Sequence, residues 1–168
     1  MCIRDSIERV CTAKLLGVMF QGNLKFETRI QYILTLCNQR LYLLKLLRNR
    51  GICSQQLYVV FHALIMIMSG LMYALPAWGG FVSAEQTNRI NALLKRCYRY
   101  GYVDKIHCMS DLLNSVDLAL FDKMHSKAHC LYPLLPPVRN QLGDLTLPSC
   151  TKDLYKRSFV MRCLFNFM

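Results

Sequence analysis

The chain has 168 residues, enough for one domain or one domain with a tail, and 21 Lys and Arg against 10 Asp and Glu give it a net charge of +11. A basic excess of this size favours nucleic acid or another anionic surface as partner. Nine cysteines without a C-x-x-C pair, several at apolar positions of helical patterns, read as reduced thiols of an intracellular protein and exclude a secreted disulfide framework.

Met1–Ser6, MCIRDS, back-translates to a string resembling the transposase end sequence ligated to DNA in sequencing-library kits. These six residues are expected to be adapter-derived, so that protein preceding Ile7 is missing. Ala13–Phe20, AKLLGVMF, is a short apolar run ending at Gly22-Asn23 and predicts a strand or the end of one. Lys25–Arg50 predicts a helix. Ile30, Ile33, Leu34, Cys37, Leu41 and Leu44 recur at three- and four-residue steps and share one face, and Gly51 is placed to cap the C-terminus. Ser54 offers an N-cap to a second helix that runs through LYVVFHALIMIMSGLMYALPAW until Pro76 stops it and Gly79-Gly80 turn the chain.

Between Gly51 and Val82 there is no Lys, Arg, Asp or Glu, and the run Leu57–Leu75 reaches the lower edge of membrane-spanning length. A helix apolar nearly all round is buried in a protein core or in a membrane. Eight basic and two acidic residues lie in Ile7–Arg50, and twelve basic and seven acidic residues follow from Ser83. Positive-inside asymmetry would want one side clearly more basic, so no membrane is expected; a single-span protein, Leu57–Leu75, is the alternative.

Ser83-Ala84-Glu85-Gln86 resembles a capping box that opens a third helix through Ile90, Leu93, Leu94 and Cys97 to near Gly101. Asp117–Leu131 predicts a shorter helix with Leu118, Phe121, Met124, Ala128 and Leu131 on one broad face. Pro133, Pro136, Pro137 and Pro148 break the chain that follows, and Lys152–Phe167 predicts a last helix. The expected fold is mainly α: a small three-helix bundle with one short N-terminal strand and a loop-rich helical C-terminal tail.

Arg89, Arg96 and Arg99 fall within about 80° of one another on the third helix, away from Ile90, Leu94 and Cys97. Arg29 and Arg40 stand close to three turns apart on the first and also align. Such stripes suit phosphates, bound without sequence preference; the competing reading is a solvated face. Tyr98, Tyr100 and Tyr102 interleave with the arginines and could stack on bases or simply pack. His125 and His129, four apart, with His107-Cys108 upstream, do not match the spacing of a zinc knuckle or finger, and no metal ligand is assigned. His62, Met66, Met68 and Met72 read as core, and Trp78 as a packing anchor. No two acidic residues are adjacent, so no two-metal carboxylate cluster and no catalytic residue is assigned.

Taken in order, AKLLGVMFQGNLKFETRI, RLYLLKLLRNRG, YALPAWGGF, NRINALLKRCYRYG and LYKRSFVMRCLF resemble the C-terminal end of the reverse transcriptase of jockey-like non-LTR (LINE-type) retrotransposons. The resemblance implies that 7–22 ends the palm, that 23–101 is a thumb-like helical bundle, and that 102–168 is the family's C-terminal tail. It implies a non-catalytic fragment of an RNA-directed DNA polymerase that grips an RNA/DNA primer–template duplex during target-primed reverse transcription. The palm, with its aromatic-x-Asp-Asp turn and two divalent ions (Mg2+), would precede Ile7; the fragment itself is expected to need no cofactor and to reside in nucleus or cytoplasm. A decayed copy without function is the remaining alternative.

Overall fold

The computed structural model describes residues 10–63, 66–137 and 145–168. Met1–Ser6 lies outside the described residues, as do the side chains of His62, Met66 and Met68.

The apolar run near the N-terminus is a hairpin, not the single strand expected. Strand β1 (Thr12–Leu15) pairs antiparallel with β2 (Val18–Gln21), with Leu15 opposite Val18. Leu16 and Gly17 between them both take positive φ, 47° and 80°, and this two-residue turn matches the twist of the strands it joins. Its Leu-Gly sequence lacks the Asn or Asp that usually marks such a turn, so the run read as continuous. Tyr73 pins the turn by donating its hydroxyl to the Leu16 carbonyl at 2.6 Å.

Helix α1 (Glu27–Asn49) lies within two residues of its predicted bounds, and all six of the apolar residues expected on its inner face are buried. Phe26 enters it with φ 54°, a costly conformation for a bulky side chain. Offsetting that cost, its ring is buried 5.5 Å from Phe20 and 5.9 Å from Phe81. At the other end Gly51 turns left-handed, donating its N–H to the Arg48 carbonyl while Ile52 donates to Leu47. Those two bonds make a Schellman cap, which closes the helix and leaves Ile52 against the core.

The charge-free run does not form one long helix. It contains α2 (Ser54–Ala63), α3 (Met66–Met72) and α4 (Leu75–Trp78). Ser54 is already helical, one place inside its expected cap position. Pro76 does not stop a helix either. The chain leaves α3 at Met72, turns through Ala74 at φ 52°, and places Pro76 in the first turn of α4, where a missing N–H costs nothing. Leu57, Leu71, Leu75 and Trp78 are buried, whereas Val59 and Met72 are exposed, so the run has an outer face and Met72 is not core. Among the described residues, no helix is long and apolar enough to cross a membrane.

Helix α5 (Ala84–Arg99) opens on the predicted capping box: Gln86 N–H donates to Ser83 Oγ at 3.3 Å and Ser83 N–H to Gln86 Oε1 at 2.9 Å. It closes on a second Schellman cap at Gly101. Helix α6 (Met109–Met124) corrects the expected Asp117–Leu131 helix. Cys108 at its cap makes no side-chain capping bond to the helix backbone, its thiol meeting the Ser110 hydroxyl at 3.0 Å instead, so no capping motif announces the start. Phe121 and Met124 are buried as expected, but Leu118 is exposed, and Ala128 and Leu131 follow the helix in turns. The last predicted helix is two, α7 (Asp153–Lys156) and α8 (Phe159–Phe167), parted where Ser158 N–H and Oγ both donate to the Tyr155 carbonyl.

Helix α1 is the hub of the bundle, packing against α2, α3, α5 and the hairpin. The main core gathers residues from β2, α1–α5 and the first turns of α6, including Met109 and Leu112. A smaller core joins Phe121 of α6 to Leu145 and to Met161, Cys163 and Leu164 of α8. Between the two cores sits a buried ion pair. Arg162 Nε and Nη2 donate to the Asp117 carboxylate at 2.7 and 2.9 Å, while Nη1 donates to Arg157 O and Nη2 also to Pro76 O. A Cβ at Gly80 would collide with the Arg162 guanidinium and the Arg157 carbonyl, so glycine is needed there for the approach.

Candidate nucleic-acid interface

Two hydrogen bonds fix how α1 and α5 lie together. Arg89 donates to Gln31 at 2.6 Å and Arg96 to Asn38 at 3.0 Å, and both pairs advance by seven residues on each helix. Thus α1 and α5 run parallel, with Glu27 and Glu85 in their first turns at one end and Arg48, Arg96 and Arg99 in their last turns at the other. Acidic first turns and basic last turns both complement the helix dipole.

An open groove of about 790 Å³ lies over the N-terminal half of this seam, lined by Gln31, Tyr32, Gln86 and Arg89 among others. A second, of about 230 Å³, lies on the other flank of α1 and includes Arg29, Tyr32, Arg40, Gly70 and Tyr73. Tyr32 lines both, so the outer ridge of α1 runs between them. That ridge exposes Tyr32 and Tyr42, at 57% and 60%, with Arg40 on one flank and Arg89 and Arg96 on the other.

The five arginines thus fall into three settings. Arg89 and Arg96 are exposed and anchored by amides, which holds their guanidinium groups over the seam. Arg99 lies at the C-terminal end beside Arg48, lining a hollow of about 190 Å³ with Tyr100 and Tyr102. Arg40 and Arg29 share the second groove, as their spacing predicts, but Arg29 is only 5% exposed and is not a surface phosphate contact. Its Nη1 donates to Gly17 O at 3.0 Å, and its Nη2 to Tyr73 O at 3.3 Å and, at the limit, to Gly70 O at 3.5 Å. The guanidinium also lies over the rings of Trp78 and Tyr73, at 5.5 and 5.9 Å. Arg29 therefore ties the hairpin turn to the end of α3, through carbonyls too distant in sequence to be foreseen. Burial lowers its pKa, and the neighbouring Tyr73 and Tyr32 act the other way.

Among the interleaved tyrosines, Tyr98 and Tyr100 are exposed, whereas Tyr102 is buried with its ring 5.8 Å from that of Tyr100. Tyr32 and Tyr42, which sequence reasoning passed over, are the more exposed aromatics. Their signal was a helix apolar on two faces, of which only one could be core. Arg48, also missed, was legible as a cation in the last turn of α1.

His125 and His129 do not share a helix. The His125 ring meets the Phe121 carbonyl at 2.9 Å beyond the end of α6, and His129 Nδ1 accepts the Leu131 N–H. Among the described residues, no three His, Cys, Asp or Glu side chains come together as a metal site. Cys37, Cys97 and Cys163 are buried, and burial pushes their thiols up to about 11, 11 and 12. Trp78 is fully buried, donating its indole N–H to Tyr73 O at 3.0 Å, the anchor that PAWGG predicts. No family model, no curated protein and no solved structure matches the chain.

Proposed function

We propose that the chain is the thumb and C-terminal tail of a retrotransposon reverse transcriptase, a non-catalytic part that grips an RNA/DNA duplex. The observation that supports this most is the α1 ridge, where Tyr32 and Tyr42 stand exposed between Arg40 on one side and Arg89 and Arg96 on the other. Cations on both flanks of an aromatic ridge suit a phosphate backbone, which is held without regard to sequence. The chain's net charge of +11 supplies the long-range attraction. The parent enzyme's catalytic carboxylates and two Mg2+ ions would belong to its palm. Unpaired thiols throughout the described residues fit a nuclear or cytoplasmic setting.

The test is fluorescence anisotropy with a labelled RNA/DNA hybrid over a series of salt concentrations. Each phosphate contact contributes about −0.9 to the slope of log K against log salt, so Arg89→Gln with Arg96→Gln should flatten it by about 2. Binding that ignores salt, or a slope the double variant leaves unchanged, would refute this interface.

A further inference from the structure

The hollow where α1 and α5 end differs in kind from the seam that leads to it. Arg48 of α1 and Arg99 of α5 line it together, with Leu57, Tyr100, Gly101 and Tyr102, and no acidic residue is among them. Arg48 stands one turn beyond Leu44, on the stripe of α1 that otherwise carries core residues. Helix α5 stops short of it, since the Asn38–Arg96 register sets Arg99 level with Leu41. The last step of the stripe therefore opens into a hollow walled by Leu57 and Tyr102, both part of the main core. Burial raises the Tyr102 pKa, and the nearby charge of Arg48 acts the other way.

Helix capping does not use these two guanidinium groups. Backbone N–H groups take the last carbonyls: Gly51 and Ile52 donate to Arg48 and Leu47, and Gly101 and Tyr102 donate to Tyr98 and Cys97. Among the described residues, neither Arg48 nor Arg99 takes part in a salt bridge. Both are exposed, so two positive charges converge on a hollow with one apolar wall.

We propose that this hollow holds the terminal phosphate of a nucleic-acid strand, a phosphate monoester, while the rest of the strand lies along the seam between α1 and α5. The inference rests on the nucleic-acid reading above and adds to it a site that recognises a strand end. Two guanidinium groups match a terminal phosphate, which carries about −1.5 to −2 at pH 7, better than an internal phosphodiester with a single charge. At about 190 Å³ the hollow is below the roughly 300 Å³ of the smaller ligand pockets, which leaves room for a phosphate and part of its sugar. Arg99 follows Arg96 by three residues, about 4.5 Å of helix rise, so a backbone held at Arg96 meets the hollow next. Leu57 and Tyr102 then stand in the way of its continuation, and the exposed Tyr100 offers a face to the last base.

The test is fluorescence anisotropy at constant ionic strength with a short, internally labelled RNA/DNA hybrid that bears a 5′-phosphate, a 3′-phosphate or hydroxyl ends only. One phosphorylated hybrid should bind at least about fivefold tighter than the hydroxyl-ended one, and the larger gain identifies the end that is read. Arg48→Gln and Arg99→Gln should each bring that ratio below about twofold. Both residues are exposed, so these variants should melt with the parent when followed by circular dichroism. Arg89→Gln with Arg96→Gln should weaken every hybrid and keep the ratio. The matching adenosine monophosphate, which has no strand to lie in the seam, should abolish the preference only at concentrations at least about a hundredfold above those of the phosphorylated hybrid. Equal binding of all three hybrids, a ratio that both Arg48→Gln and Arg99→Gln preserve, or a monophosphate as potent as the strand would overturn the proposal. These outcomes are read from a ratio of affinities at one salt concentration and the seam interface from a slope against salt, so the two readings fail separately.

Discussion

Replacing Arg162 by Met should be among the most damaging single changes in the chain. Asp117 is fully buried on α6, and Arg162 on α8 satisfies both of its oxygens, at 2.7 and 2.9 Å. Two charge-assisted bonds at about 1.5–3 kcal/mol each, and a carboxylate stranded without a partner, put the loss at about 3–5 kcal/mol. For a domain of this size that is a fall in Tm of about 6–20 °C. The loss carries a pH signature. Burial raises the Asp117 pKa, and the hydrogen bonds and charge of Arg162 are what pull it back. In Arg162→Met that counterweight is gone and the folded-state pKa rises further. A carboxyl whose folded pKa lies above its unfolded value favours the fold at low pH, and the contribution fades as pH rises through the folded pKa. The variant's deficit should therefore be largest near pH 7 and shrink toward pH 4. Urea unfolding followed by circular dichroism, repeated across this range, measures both quantities. Adding Asp117→Leu to Arg162→Met should recover most of the loss, since an apolar pair can replace a buried ion pair. A deficit under about 1 kcal/mol, or one that does not change with pH, would refute the reasoning.

Ser83→Ala removes the acceptor for the Gln86 N–H and half of the capping box, and should cost about 1 kcal/mol in the same urea assay. Thiol labelling of the native chain should modify the exposed Cys11, Cys53 and Cys130 first and reach the buried Cys37, Cys97 and Cys163 only on unfolding, as peptide mass spectrometry would show. Because the folded pKa values of these three exceed the ordinary 9.0, stability should hold below pH 9 and decline as pH rises from there toward 11, read by urea midpoints across that range.

The parts legible in the sequence are those whose causes are local. α1 and the start of α5 carry their own signals, a continuous 3.6-residue apolar stripe ended by Gly51 and a Ser-x-x-Gln box at Ser83. What escaped depends on partners far away along the chain. Asp117 reads as a polar residue fit to open a helix, yet it lies inside α6 because Arg162, forty-five residues on, neutralises it. Likewise Arg29 belongs by spacing to a basic stripe, but the carbonyls of Gly17 and Tyr73 take it inside. The charge-free run gave composition without boundaries, since its division at Ala74 is a single left-handed residue that no motif announces. For the candidate interface, Arg40, Arg89 and Arg96 were visible as stripes. The ridge they flank was not, because the register of α5 on α1 is a tertiary fact.

That register bears on how the chain acquires its structure. Two parallel neighbours cannot be joined by a tight turn, and here everything from Gly51 to Ser83 must travel back along α1 before α5 begins. The Gln31–Arg89 and Asn38–Arg96 bonds each close a loop of fifty-eight residues, so their entropy cost precedes any gain from the seam. A chain emerging from the ribosome can seat α2 and α3 on α1 as soon as they appear, whereas the α5 flank stays open until the whole helix has been made. Until then the side of α1 that Ile90, Leu93 and Leu94 come to cover stays in water. Any chain cut short before Ser83 would carry that uncovered stripe as a surface for self-association.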